Sequence, residues 1–283
     1  MRIAIIGLGG VGGYLAAVLS RAGLDVTGFA RGEHLRAIQK QGIKIVEDDK
    51  EWRATFEAKD LREAEGKFDI VMFCVKSYDL VQSYYEISPC VSENTLLIPF
   101  ANGVNNGELL REIAKAQVVD GAVYILSAIE KPGVIRKKGK VFSVIFPQLK
   151  TKILEDVFAA SGLRYKAVDD IQTALWKKYI FIAAFATLTT YYDTSIGDIY
   201  EHHQKEAKEL LEEIAVFAKE TKNIDIFDEV EKSLATAGKV PYNSSTSMHL
   251  DFKNGKKTEL ENLSGYVQKP FMQKLYNELK KRA

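Results

Sequence analysis

Six residues near the N-terminus constrain this chain more than any others: Gly7-Leu8-Gly9-Gly10-Val11-Gly12, a G-x-G-x-x-G run. An apolar stretch, Arg2 to Ile6, precedes it. Apolar residues at helical intervals follow from Tyr14 to Arg21, and Asp25 to Ala30 suits a second buried strand. Strand, glycine turn, helix and strand in this order form a βαβ dinucleotide fingerprint. The first glycine permits the tight turn and the second lets the backbone approach a pyrophosphate. The third lets the helix pack closely on the strand. The pyrophosphate is expected on the helix N-terminus, where backbone N–H groups and the dipole favour an anion.

The end of the second strand bears on which dinucleotide. An NAD site usually places a carboxylate there for the ribose 2′-hydroxyl. Here the chain reads Gly28-Phe29-Ala30-Arg31-Gly32. An arginine fork pairs with a 2′-phosphate, so NADP is the expected cofactor. The alternative is a solvated Arg31, with Glu33 turned in to serve the ribose.

After Arg31, strand-like and helix-like segments continue to alternate. Leu35 to Gln41 reads as helix, and Ile43 to Glu47 and Trp52 to Phe56 read as strands. Phe68 to Val75 and Thr95 to Phe100 are continuous apolar runs of the fully buried strand type. A helix is expected from about Asn105 to Lys115, then strand runs at Val118 to Ser127, Gly133 to Arg136 and Lys140 to Phe146 completing the sheet. A last helix is expected over Lys150 to Ser161. Such alternation implies an α/β fold, a Rossmann-type doubly wound parallel sheet. From about Asp170 the texture is helical throughout, over Ile171 to Leu188, His203 to Glu220, Phe227 to Ala237 and Thr258 to Lys281. The expected organisation is an NADP-binding domain over residues 1–168 and an all-α substrate and catalytic domain over 169–283, with the active site in the cleft between them.

With 39 Lys plus Arg against 38 Asp plus Glu, no net field favours nucleic acid or an anionic membrane. The apolar segment Ile180 to Leu188 is too short to span a bilayer. The glycines interrupt the N-terminal apolar run, against a signal peptide. Two cysteines, Cys74 and Cys90, suit a reducing, cytoplasmic compartment. No spacing suggests a metal site; His202 and His203 read as exposed helix residues, and His249 as a packing residue. The outer face of the helical half is a candidate surface for a homodimer.

Four further motifs stand in order along the chain: Val75-Lys76-Ser77, Ala101-Asn102-Gly103, Leu175-Trp176-Lys177-Lys178, and Ser247-Met248-His249-Leu250-Asp251 ahead of Thr258-Glu259. Together with the glycine turn they resemble the ketopantoate reductase (2-dehydropantoate 2-reductase) family over the whole chain. The resemblance implies NADPH-dependent reduction of ketopantoate to pantoate, in pantothenate biosynthesis. Lys76 is similar to the family's cofactor-side lysine, and Asn102 to its asparagine touching nicotinamide ribose and substrate. Lys178 is similar to its general acid, Ser247 to its substrate-carboxylate ligand, and Glu259 to the acid that steadies the lysine.

The residue types suit the chemistry independently. Reduction of a 2-keto acid builds negative charge on the carbonyl oxygen, and an ammonium aimed there stabilises it and delivers a proton. Dehydration lowers the lysine's pKa, and a nearby glutamate opposes that shift. Each residue also has a plain structural reading: Lys76 a strand-end lysine, Asn102-Gly103 a turn, Ser247 a helix cap, Glu259 a surface acid, and Trp176 packing. The chain departs from the family pattern where two asparagines are expected, four and eight residues past the lysine on one helical face. Those positions hold Ile182 and Ala186. Two alternatives therefore stand beside ketopantoate reduction: a reductase of a different 2-keto acid, without ketopantoate's terminal hydroxyl, or a non-catalytic NADPH-binding or sensing protein.

Overall fold

The computed structural model describes residues 1–149 and 151–283. The chain divides into two units, Met1–Ala101 with Asn105–Ile171, and Gln172–Ala283 with Asn102–Val104. The first unit carries β1 (Arg2–Ile6), α1 (Gly10–Arg21), β2 (Asp25–Phe29), α2 (Gly32–Gln41), β3 (Ile43–Val46), β4 (Glu51–Ala54), β5 (Glu57–Lys59) and β6 (Ile70–Phe73). It continues with α3 (Leu80–Ile87), β7 (Leu96–Pro99), α4 (Asn106–Ile113), β8 (Gln117–Val118), β9 (Ala122–Lys131), β10 (Val134–Pro147), α5 (Lys152–Ser161) and β11 (Tyr165–Val168). Of the helix expected over Lys150 to Ser161, Lys150 lies outside the described residues.

The central sheet has six strands in the order β5-β2-β1-β6-β7-β8, all paired in parallel. Its strands bury both faces. Ile3 and Ile5 join one apolar cluster, while Ala4 and Ile6 join the other, as the two-residue period of a strand requires. β1 lies between β2 and β6, so the turns leaving β1 and β6 open at the point where strand order reverses, which is where such sheets bind ligands.

One expectation is corrected. The runs from Val118 to Phe146 do not complete this sheet; only β8 joins it. β9 and β10 form an antiparallel hairpin, and β10 pairs in parallel with β3 and β11, while β4 joins β3. The cause is the Pro132-Gly133 turn, where Gly133 takes φ +76°. A tight hairpin returns the chain antiparallel, whereas another parallel strand needs a long crossover. β10 is a single strand over Val134–Pro147, with an irregularity in its pairing between Lys138 and Phe142. The short edge strand β5 and β11 have too little apolar pattern to be read from the sequence.

The second unit is helical: α6 (Ile171–Tyr192), α7 (Ile196–His202), α8 (Gln204–Lys222), α9 (Asp228–Ala237), α10 (Ser247–Lys253) and α11 (Pro270–Arg282). α6 buries residues around most of its circumference, the mark of a central helix. The single helix expected over Thr258 to Lys281 is interrupted. Residues Glu261–Gly265 form a π-helical turn, and Pro270, lacking an N–H, starts α11 at its first position. α7 and α10 are short and begin at hydroxyl caps. The Ser195 side chain accepts from the Asp198 N–H, and that of Thr246 accepts from the His249 N–H. Among the described residues, no helix is long and apolar enough to cross a membrane, and no cluster of His, Cys, Asp and Glu is arranged to hold a metal.

Candidate active site

The glycine turn follows β1 directly, and its glycines differ in what they face. Gly7 takes φ +91°, and a Cβ there would lie 2.9 Å from the Cys74 backbone. A Cβ on Gly12 would lie 2.1 Å from the Gly7 carbonyl oxygen and 2.8 Å from the Cys74 Cβ. At Gly10 it would lie 2.3 Å from the Ser127 carbonyl oxygen. Gly9, by contrast, has nothing within 4 Å of its Cβ position. It is the N-cap of α1, and no side chain caps that helix. The backbone N–H groups at the start of α1 therefore have no capping side chain, and the space beside Gly9 is open, as an anion at a helix N-terminus requires. The turn fits a dinucleotide pyrophosphate. Val11 is partly buried against the core and Leu8 is buried within it.

A histidine with no motif around it braces this turn. His34 Nε2 lies 2.8 Å from the Leu8 carbonyl oxygen, and His34 Nδ1 accepts the Gly133 N–H at 3.1 Å. Nδ1 is thus an acceptor and Nε2 the donor, which makes the ring neutral. Burial lowers the His34 pKa below its ordinary value, with the bond to the Leu8 carbonyl opposing. Arg31 caps α2 by position and is largely exposed; its Nη2 donates to Asp79 Oδ2 at 3.1 Å. Lys76 is partly buried where the chain leaves β6 and begins the helical turn Ser77–Asp79.

The second unit gathers the other candidates. Asn102, with Gly103 and Val104, belongs to it by contact although Ala101 and Asn105 on either side lie in the first. Gly103 adopts φ +118°, a turn conformation that glycine takes without cost. Lys178 Nζ donates to Asn102 Oδ1 at 3.3 Å. Burial pushes the Lys178 pKa down to about 8, and the carboxylate of Glu259 opposes the shift. Glu259 is only 2% exposed, so it is not a surface acid. The neighbouring Lys177 faces elsewhere, pairing with Asp228 at 3.6 Å and Glu229 at 3.4 Å on α9. The geometry thus separates the two lysines that sequence alone leaves adjacent.

The π-helical turn after Glu259 is tied to the helix that carries Lys178. The Tyr179 hydroxyl donates to the Leu263 carbonyl at 2.7 Å, and Thr187 Oγ1 lies 2.7 Å from Ser264 Oγ. Both tie α6 to the segment that follows Glu259. Trp176 is buried against Tyr179, Phe217 and Tyr266 and is packing. Tyr179→Phe leaves the ring packing and removes this tether, so we expect about 1 kcal/mol of lost stability. Chemical denaturation checks the loss, and a kcat that falls with KM unchanged identifies a loosened Lys178.

The remaining substrate candidates are placed less uniformly. Ile182 is partly accessible one turn from Lys178, whereas Ala186 is 1% exposed. Ser247 is exposed at the first position of α10 and is not its cap, which is Thr246. Among the described residues, Ser247 is not hydrogen-bonded to the Lys178 cluster. The loop before it is pinned to the end of α6: Thr246 Oγ1 lies 3.0 Å from Thr189 Oγ1, and His249 bridges Ser245 Oγ and Asp193 Oδ1, each at 2.7 Å. His249 therefore anchors the serine loop, a role beyond packing.

Known proteins match this arrangement over its full length. The model of the ketopantoate reductase PanE/ApbA family matches residues 3–150, and that of its C-terminal region matches 170–270. An uncharacterized oxidoreductase, YkpB, of Bacillus subtilis is 31% identical over 94% of this chain and 91% of its own. A 2-dehydropantoate 2-reductase of Mesorhizobium japonicum is 28% identical over 95% of this chain and 90% of its own. The crystal structure of a PanE/ApbA family ketopantoate reductase from Ralstonia eutropha superposes with a TM-score of 0.92 at 26% identity, covering 100% of this chain and 98% of that one. A dinucleotide turn in one unit, a partly dehydrated lysine beside a buried glutamate in the other, and these full-length matches place the chain in the ketopantoate reductase family, NAD(P)-dependent oxidoreductases that act at a CH–OH group and reduce small keto acids.

Proposed function

We propose that the protein reduces a 2-keto acid with NADPH, with 2-dehydropantoate as the default substrate and pantoate as the product. The observation that carries this reading is Lys178, pushed down to about 8 by burial, steadied by Glu259 and bonded to Asn102. An ammonium in that state is still mostly protonated near neutral pH yet gives its proton up readily, as a general acid requires. Gly7, Gly9, Gly10 and Gly12 with the start of α1 would hold the pyrophosphate, Arg31 the 2′-phosphate, and Lys76 and Asn102 the nicotinamide side. When bound, the cofactor supplies the hydride. Lys178 stabilises the oxyanion and protonates it, Glu259 keeps the lysine charged, and Ser247 takes the substrate carboxylate. The units carry these roles as a nucleotide-binding half and a substrate half. The free cysteines, Cys90 buried and Cys74 partly so, suit the reducing cytoplasm, where pantothenate biosynthesis would use the product.

Ile182 favours a second reading within the same chemistry. It presents an accessible apolar group one turn from Lys178, where ketopantoate's terminal hydroxyl would want an amide. The deciding experiment follows NADPH consumption with ketopantoate beside branched and aromatic 2-keto acids. Fast turnover of ketopantoate establishes the default substrate, preference for an apolar keto acid establishes the second reading, and no turnover on any of them sinks both. Ile182→Asn is expected to raise kcat/KM for ketopantoate relative to an apolar keto acid by about tenfold, the worth of one net hydrogen bond to substrate. An unchanged ratio would remove Ile182 from the specificity pocket.

A further inference from the structure

The strand end that carries Arg31 has no carboxylate in the sequence, but the fold brings one to it. Phe29 of β2 and Phe73 of β6 both stand opposite Ile6 of β1. The segments leaving β2 and β6 therefore flank the glycine turn at one edge of the sheet. The helical turn Ser77–Asp79 ends there, and Asp79 Oδ2 accepts from Arg31 Nη2 at 3.1 Å. A second carboxylate that feels the Arg31 charge, Asp60, is already bound in a fork by Arg62, at 2.8 and 2.9 Å. Asp79 is thus the acid that holds Arg31.

We propose that Asp79 is a specificity-determining residue for the dinucleotide, acting through Arg31 to restrain the preference for a 2′-phosphate over a 2′-hydroxyl. The proposal rests on the reading that Arg31 faces the 2′ position. A 2′-phosphate must draw the guanidinium from Asp79 and then sits near a like charge. A 2′-hydroxyl does neither, and finds in Asp79 an acceptor of the kind an NAD site normally keeps at the strand end. Arg31 is 78% exposed and Asp79 33%, so separating the pair costs little. The restraint is therefore graded, and NADH remains a usable ligand.

The test is calorimetric titration of NADPH and NADH into the intact protein and into Asp79→Asn, Arg31→Ala and the double variant. Asp79→Asn is expected to tighten NADPH about threefold to fivefold with NADH unchanged or weaker, and the gain is expected to vanish in the Arg31→Ala background. An unchanged NADPH-to-NADH ratio in Asp79→Asn overturns the proposal, and so does a gain that persists without Arg31, which would be a general charge effect. If Arg31→Ala leaves NADPH affinity untouched, the assignment of Arg31 fails and the proposal falls with it. If the unaltered protein prefers NADH but Asp79→Asn moves it towards NADPH through Arg31, the proposal stands and NADPH as the working cofactor does not.

Discussion

Lys178→Ala should lower kcat for keto acid reduction by about a thousandfold, within the range for a general acid that also stabilises an oxyanion, while leaving NADPH binding within about twofold. A thousandfold is about 4 kcal/mol of transition-state stabilisation. That is the scale expected when the developing oxyanion loses both its counter-charge and its proton source. Single-turnover absorbance of NADPH reads the chemical step, and calorimetry reads the binding. Equal losses in both would make Lys178 structural. The pH dependence has a definite sign. As the proposed general acid, Lys178 acts in its protonated form, and burial puts its pKa at about 8. The reduction rate should therefore be flat on the acid side of that value and fall about tenfold per pH unit above it. Glu259 raises the Lys178 pKa, so Glu259→Gln should move the falling limb to lower pH. A limb that stays in place would separate Glu259 from the lysine's protonation.

The sequence is most legible where one residue type alone satisfies a local demand. The glycine turn is such a place, because close backbone approach and a positive φ exclude other residues. The parallel strands are another, since burial on both faces leaves unbroken apolar runs such as Ile70–Phe73. The site around Lys178 is half legible. Its residue types follow from the chemistry of a keto acid. Which of two adjacent lysines turns inward is decided by α9, whose Asp228 and Glu229 hold Lys177. Partners brought from far along the chain leave no local trace. Asp79 reaches Arg31 only because β6 lies beside β1, and His34 reaches Leu8 and Gly133 from α2 without a surrounding motif. The second sheet escapes for a similar reason: a Pro-Gly hairpin and a long β10 look like separate runs until their pairing is seen. Ala186 shows the limit of a helical-face argument, because sharing a face with Lys178 does not keep a residue accessible.

Gly9→Ala and Gly12→Ala should both abolish tight NADPH binding, by about a hundredfold or more, yet only Gly12→Ala should damage the fold. The difference lies in what each new methyl meets. At Gly12 it would lie 2.1 Å from the Gly7 carbonyl oxygen and 2.8 Å from the Cys74 Cβ, and the nearest of these atoms is backbone. Relief requires α1 to move off β1 or the Gly7 turn to open. Overpacking of this kind costs about 1–3 kcal/mol, and more where the backbone cannot give. At Gly9 the backbone has φ −67°, open to any residue, and nothing lies within 4 Å of the Cβ position. Alanine there leaves stability within about 0.5 kcal/mol. The methyl instead enters the open space beside Gly9, where the pyrophosphate is proposed to bind. Chemical denaturation and NADPH titration on the two variants separate the effects. Tight NADPH binding by Gly9→Ala would mean that the pyrophosphate lies elsewhere, and the dinucleotide reading of the turn would fail with it.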